Sequence, residues 1–150
     1  MGRIDPVDSW KYRWLYIGVY LGYSGLVSGE DFNIKHMPAI GLYTIFQPID
    51  FFGITIDAGM YRGGFITISP TLIFRPLLFE INLFMGGGFN PMFGTPTFVA
   101  GARGGYHIGP GLIYIEARTI SYFPIEIYVN NVIRINVSLG YQIGVISRKK

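Results

Sequence analysis

Apolar and polar residues alternate with a period of two along most of the chain. The clearest case is the last segment, where Ile135, Val137 and Leu139 alternate with Asn136 and Ser138. Successive side chains of a β-strand point to opposite faces, whereas a helix would mix the apolar and polar sets. The pattern therefore predicts β-strands, each with one apolar and one polar face.

Turn residues divide the alternating region at nearly regular intervals. We predict strands over residues 12–23, 33–47, 51–62, 64–75, 77–87, 96–108, 112–122 and 127–146. About eight strands joined by short connections suit an all-β fold, a closed antiparallel up-and-down barrel in which closure removes both edges. A chain of 150 residues is one domain's worth of sequence, so we predict a single domain over 1–150.

Two prolines fall inside predicted strands, namely Pro38 and Pro70. A proline cannot donate a hydrogen bond to the neighbouring strand, and it is expected only at strand edges or bulges. We therefore predict a local β-bulge at each of these two positions.

Alternation alone does not decide which face points into the barrel. In a soluble, lipocalin-like lipid-binding barrel the apolar face would line a ligand cavity, and this reading stays open as an alternative. The apolar faces, however, carry more bulky side chains than an eight-stranded interior can hold. We expect them to face lipid, on Leu15, Ile17, Val19, Ile54, Ile56, Ile68, Leu72, Ile81, Leu83, Ile113, Ile115, Ile135, Val137, Leu139 and Ile143.

The composition agrees with a membrane barrel. Charged residues make up 14% of the chain, against about 25–35% for a soluble surface. Every hydrophobic run is interrupted before the ~20 residues that a membrane-spanning helix needs, so the membrane would be crossed by strands. No basic face with interleaved aromatics is present, so we expect no nucleic-acid partner, and the absence of cysteine excludes thiolate chemistry.

The whole pattern resembles the eight-stranded outer-membrane barrels of the OmpA, OmpX and OmpW type. The last strand contains Ser138-x-Gly140-x-x-Ile143-x-Val145, which resembles the signal by which such barrels are recognised for insertion. The resemblance implies the outer membrane of a Gram-negative-type bacterium, membrane lipids as partners, and contact with the barrel-insertion machinery through this strand. The N-terminus lacks the apolar core of a signal peptide, so we expect a form from which one was removed.

An even number of strands puts both termini on one side, which in such barrels is the periplasmic side. The turns near Pro48, Pro76 and Pro110 would then be periplasmic, and the loops near 25–31, 62–64, 87–96 and 122–126 would face outward. The resemblance implies a structural envelope protein. A narrow porin-like conduit for small or hydrophobic solutes is the alternative. The oligomeric state is left open.

Several charged residues fall on the predicted inner faces. Three carboxylates and four guanidiniums nearly balance, as a low-dielectric interior requires. We expect a network across the lumen among Glu80, Arg103, Glu116, Arg118 and Arg134, acting as a plug that holds the barrel round or as a gate whose pairs exchange to admit ions. The candidate lumen charges are Asp57, Arg75, Glu80, Arg103, Glu116, Arg118 and Arg134.

No constellation in the sequence indicates an enzyme, a cofactor or a metal. His36 and His107 fall far apart in the predicted topology, whereas a metal site needs converging ligands. The lipid-deacylating barrels carry a His-x-Ser pair that this chain lacks, and only His36 with Asp31 and Ser28 is similar to the set of an acyl-transferring barrel. Aromatic residues near the predicted strand ends suit interfacial girdles, namely Trp10, Tyr12, Trp14, Tyr23, Tyr61, Tyr106, Tyr122 and Tyr128.

Overall fold

The computed structural model describes residues 13–28, 36–49, 51–60, 65–76, 78–90, 96–109, 111–122 and 132–147. These residues form eight strands, β1 (Arg13–Ser28), β2 (His36–Ile49), β3 (Phe52–Met60), β4 (Phe65–Phe74), β5 (Phe79–Phe89), β6 (Pro96–Ile108), β7 (Gly111–Tyr122) and β8 (Val132–Ser147). Each strand pairs antiparallel with the next, and β8 returns to β1. The predicted closed, antiparallel up-and-down barrel is confirmed. Within the described ranges, no helix has the length and apolar character to cross a membrane.

Each strand keeps one face inside the barrel and one outside. In β4 the alternation is complete, with Thr67, Ser69 and Thr71 buried and Ile66 and Ile68 exposed. Small and polar side chains fit the narrow interior, and branched aliphatic side chains cover the exterior. The apolar half of the alternation is therefore outside, which is the reverse of the arrangement that a soluble lipid-binding barrel requires.

The barrel has two different ends. At the tight-turn end, short connections join β2 to β3, β4 to β5 and β6 to β7, and the last of these uses Gly109 with a φ of 60°. A left-handed φ of this kind favours glycine, which has no Cβ to clash. At the long-loop end lie the connections 29–35, 61–64, 91–95 and 123–131, which are outside the described residues. Because the strand number is even, β1 begins and β8 ends at the tight-turn end.

Four strands end later than predicted, namely β1, β2, β5 and β8. β1 was expected to stop at residue 23, but Ser24 and Gly25 continue the ladder, and Gly25 pairs with both Ile135 and His36. β5 runs to Phe89 rather than residue 87. Serine is common in turns, but here Ser24 is buried inside the barrel. The predicted strand residues 12, 33–35, 61–62, 64, 77 and 127–131 lie outside the described part of the chain.

The bulge predicted at Pro70 is wrong. Pro70 pairs with Ile54 of β3 in regular register. Toward β5 the ladder omits Ser69 and Pro70 and resumes at Thr71 without a shift. Both omitted pairings depend on an amide hydrogen at residue 70 donating to the carbonyl of Met85, and proline has none. The strand therefore loses one hydrogen bond and stays straight.

The bulge predicted at Pro38 is also wrong. Pro38 pairs with Tyr23 of β1 in an unbroken register, and the described pairing of β2 with β3 begins only at Ile40. The missing amide hydrogen therefore interrupts no described ladder. The register shifts lie elsewhere, near both ends of the β1–β8 pairing and between Phe46 and Ile49 in the β2–β3 pairing.

Candidate functional site

The interior of the barrel is filled by polar, charged and aromatic side chains. Arg103, Arg118 and Arg134 are among its largest fully buried residues. Each follows the period-two alternation of its strand, so its position inside results from the same pattern that places the aliphatic residues outside. Because these side chains are buried, each charge needs a partner within the wall or across the lumen.

The middle of the lumen holds an ion-pair cluster that links four strands. Arg118 of β7 contacts Asp57 of β3, with Nη1 and Oδ2 separated by 2.5 Å, and also pairs with Glu116. Glu116 Oε2 accepts a hydrogen bond from Nε of Arg103 on β6 at 2.9 Å, and the ion pair brings Arg103 Nη2 within 2.7 Å of the same oxygen. Asp57 also accepts from the hydroxyl of Tyr20 on β1 at 2.9 Å. Two guanidiniums and two carboxylates cancel, so the central cluster is neutral.

Aromatic rings surround the two central guanidiniums. The guanidinium carbon of Arg103 lies 4.0 Å from the ring centroid of Tyr43, 4.9 Å from that of Tyr114 and 5.4 Å from that of Phe84. Arg118 lies 5.2 Å from the same Phe84 ring. A guanidinium is weakly hydrated and is attracted to aromatic faces, so it can be buried where an ammonium would be costly. These contacts fill the centre of the lumen with side chains.

Inward tyrosines occupy the space that neighbouring glycines leave. A Cβ built on any of these glycines would overlap the adjacent ring, so a larger residue would displace it. This explains why glycine recurs on the inner faces in mid-strand, where it would otherwise weaken a strand. The pairs are Tyr43 over Gly18, Tyr20 over Gly41 and Tyr114 over Gly140.

A second charged group lies at the tight-turn end. Glu80 Oε2 is 3.3 Å from Arg75 Nε and 3.3 Å from His107 Nε2. Arg75 also donates to Gln47 Oε1 at 2.6 Å and lies 5.3 Å from the ring centroid of Tyr16. The group joins residues of β1, β2, β5 and β6 next to the strand ends and covers this end of the lumen.

The third group lies near the long-loop end. Arg134 donates through Nε to Ser24 Oγ at 2.8 Å and through Nη2 to the carbonyl of Ser24 at 3.1 Å. The single network expected among Glu80, Arg103, Glu116, Arg118 and Arg134 is therefore divided in the described part of the barrel. Only Arg103, Glu116 and Arg118 lie together, and Asp57 joins them.

Sequence reasoning missed several interior residues. His107 follows Arg103 and Gly105 at a spacing of two, so the alternation already placed it on the inner face. Gln47 follows Tyr43 in the same way. Which charge each contacts depends on the register between strands, for which the sequence gives no direct signal.

The exterior is almost entirely apolar. Among the described residues, no exposed side chain is Asp, Glu, Lys or Arg. All of the residues expected to face lipid are exposed except Leu15, which is half-buried beside the register shifts of β1. The outer hydroxyls of Thr44 and Thr119 donate to backbone carbonyls of neighbouring strands at 3.0 and 3.3 Å, and that of Tyr141 donates to the carbonyl of Ile108 at the end of β6 at 3.4 Å. These groups are therefore satisfied without water.

Aromatic side chains lie near both ends of the outer wall. At the tight-turn end the ring centroids of Trp14 and Phe46 are 5.2 Å apart, and those of Phe79 and Tyr106 are 5.3 Å apart. Tyr23 lies toward the long-loop end. The remaining residues of the expected girdles lie outside the described side chains, namely Trp10, Tyr12, Tyr61, Tyr122 and Tyr128.

The two histidines lie at opposite ends of the barrel. His36 begins β2 at the long-loop end, and His107 lies near the end of β6 at the tight-turn end. Within the described ranges, no group of three or more His, Cys, Asp or Glu residues could hold a metal ion. Asp31 and the side chain of Ser28, which were considered with His36, are outside the described part.

The closed fold, the apolar exterior and the polar interior together define an eight-stranded barrel of the kind found among transmembrane proteins. Comparisons with solved structures agree with this class. The chain is similar to a barrel from "De novo design of transmembrane beta-barrels", at 13% identity and a TM-score of 0.54, over 86% of this chain and 94% of that one. It is also similar to Neisserial surface protein A (NspA), at 11% identity and a TM-score of 0.51, over 87% and 97%. At these identities the likeness establishes the fold. No protein-family model and no curated protein sequence matches the chain.

Proposed function

We propose that this protein is an integral outer-membrane β-barrel with a structural role, whose lumen is closed by its own side chains. The observation that carries the proposal is the distribution of charge. In the described barrel, every Asp, Glu and Arg side chain whose position is given lies inside, and the exposed surface has none. A lysine or arginine facing lipid at the midplane would cost about 2–4 kcal/mol, whereas an aliphatic exterior in water would be an aggregation site.

The dimensions of the strands support the same proposal. The shortest strand, β3, has 9 residues and β4 has 10. A tilted strand needs about 9–11 residues to cross the hydrocarbon core. Closure leaves no unpaired sheet edge in lipid, and the outer hydroxyls of Thr44 and Thr119 already have backbone partners.

The structural role rests on the filled lumen. The central cluster and the aromatic rings around it occupy the middle of the barrel, and the Glu80 group covers one end. Such a filled interior favours a plug that braces the wall. The proposal includes no catalytic step. The outer-membrane location and the structural role are inferred from the resemblance of the sequence to the eight-stranded outer-membrane barrels.

A second candidate function, a narrow conduit, is favoured by one observation. Several buried polar atoms have no hydrogen-bond partner in the described protein, including both amide atoms of Asn82 and the hydroxyls of Thr67 and Ser138. Buried polar groups of this kind are usually satisfied by internal water. A conduit would need at least some water in the lumen.

The membrane proposal can be tested with two adjacent residues of β8. The chain has no cysteine, so a single Leu139→Cys or Ser138→Cys variant can carry one spin label. In lipid vesicles we expect the label at 139 to be relaxed by dissolved oxygen and shielded from a water-soluble nickel complex. The label at 138, inside the barrel, should be shielded from oxygen as well. Access of the nickel complex to 139, or a monodisperse protein without detergent, would contradict the proposal.

A further inference from the structure

An apolar furrow crosses the outer wall where β7, β8, β1, β2 and β3 follow one another. Its volume is about 690 Å³, within the range of about 300–1,000 Å³ that ligand sites occupy. Its base includes the backbone of Gly41 and Gly140, whose Cα positions face the lumen between outward neighbours. The residues that form most of its sides are Val19, Leu21, Ile40, Leu42, Ala58 and Leu139.

A polar pair lies beyond the furrow, toward the long-loop end. Leu21 and Ile40 are cross-strand partners, and the next outward residue of β1 is Tyr23. The hydroxyl of Tyr23 is hydrogen-bonded to Nδ1 of His36, and the two ring centroids are 5.6 Å apart. Both side chains are exposed. Of the exposed side chains in the described barrel, His36 alone can carry a positive charge.

This pair keeps hydrogen-bond donors for a ligand in either protonation state. When His36 is neutral, one donor is available to a ligand: the Nε2 hydrogen where the Tyr23 hydroxyl donates to Nδ1, or the Tyr23 hydroxyl where Nδ1 donates to it. When His36 is protonated, Nδ1 donates to Tyr23, and both the hydroxyl and the Nε2 hydrogen are available. The pair therefore offers one hydrogen bond in the neutral state and two, together with a positive charge, in the protonated state, which suits an anion.

We propose that the furrow binds one phospholipid molecule, with an acyl chain along Leu21 and Ile40 and the phosphate at His36 and Tyr23. An amphiphile with a long apolar chain and an anionic head matches both parts of the site. A second copy of this chain matches only the apolar part, because its described outer face carries no carboxylate. The proposal rests on the membrane location proposed above and specifies one lipid contact within it.

Native mass spectrometry of the folded barrel, released from detergent with phosphatidic acid or with diacylglycerol of the same chains, tests the proposal. We expect phosphatidic acid to be retained about tenfold better, the effect of charge-assisted hydrogen bonds to one phosphate. The double variant His36→Ala with Tyr23→Phe should remove this preference. Ala58→Phe should fill the furrow and reduce retention of both lipids.

Two matched variants serve as controls. Ala102→Phe places the same bulk on an exposed alanine of β6, and Tyr106→Phe removes an exposed hydroxyl at the opposite end, so neither should alter retention. Equal retention of the two lipids, or equal losses in Ala58→Phe and Ala102→Phe, would overturn the lipid site. A dimer that Ala58→Phe abolishes would also overturn it, in favour of a second copy. In each case the spin-label accessibilities at 138 and 139 would be unchanged. Failure of the lipid site would therefore be distinguishable from failure of the membrane proposal.

Discussion

At the scale of single residues, glycines of the same sheet differ in whether the barrel has room for a side chain at their position. A Cβ on Gly18 would overlap the ring of Tyr43, whereas a Cβ on Gly104 would meet nothing within 4 Å. Gly18 faces inward beneath the tyrosine, and Gly104 faces outward. The role of a glycine in this barrel is therefore set by its face.

The two glycines give a matched pair of substitutions. Gly18→Ala should lower the free energy of unfolding by about 1–3 kcal/mol, because the interior is already filled. Gly104→Ala should raise it by about 0.5–1 kcal/mol, because alanine loses less backbone entropy in a strand. Urea titration of the refolded barrel in lipid vesicles measures both. Effects of the same sign would show that the ring of Tyr43 does not rest on Gly18.

Arg118 is the residue whose loss leaves the most charge unbalanced. Removing it leaves Asp57 and Glu116 buried with only Arg103 as a remaining cation in the central cluster. Arg118→Met should therefore destabilise the barrel by about 3–5 kcal/mol, as for other broken buried pairs. Adding Asp57→Asn should restore part of the loss in the same unfolding assay. An additive double variant would contradict the coupling between the two residues.

At the scale of strands, the sequence predicted faces better than ends or partners. The alternation of β8 already separates Leu139 from Ser138, because one physical rule fixes every side chain once the first is placed. The end of β1 was missed because Ser24 is equally typical of a turn. The ion pair between Asp57 and Arg118 joins residues 61 apart in sequence, and only the accumulated register of the strands between them brings the two together.

Pro70 makes β4 weaker than its neighbours at one position. Pro70→Val would supply the amide hydrogen that the carbonyl of Met85 lacks, and the β4–β5 ladder would become continuous. We expect the unfolding free energy to rise by about 0.5–1.5 kcal/mol, the net value of one hydrogen bond. Amide hydrogen exchange should show protection at residue 70.

Pro38→Val is the control for this substitution, because the described β2–β3 pairing begins only at Ile40 and Pro38 interrupts no described ladder. It should change the unfolding free energy less than Pro70→Val does. Equal gains from the two variants would mean that the valine side chain, rather than the amide hydrogen, causes the effect.

At the scale of the whole molecule, the barrel separates two environments with a single layer of backbone. Outward residues present hydrocarbon, and inward residues present ion pairs that cancel locally in the central cluster. Neither surface would be stable in the environment of the other. The alternation of apolar and polar residues therefore determines both the solvent that the exterior suits and the side chains that fill the lumen.

Planar bilayers separate the plug from the conduit. With the central cluster in place, we expect no unitary current steps from the wild-type barrel, because Arg103, Tyr43 and Tyr114 occupy the middle of the lumen. The double variant Arg103→Ala with Arg118→Ala removes both central guanidiniums and should produce steps, provided that its heat-dependent electrophoretic mobility shows a folded barrel. Arg75→Ala, which alters only the tight-turn end, should stay silent because the middle remains filled. Steps from the wild type would favour the conduit, since a wall that conducts with its central cluster intact cannot be acting as a plug.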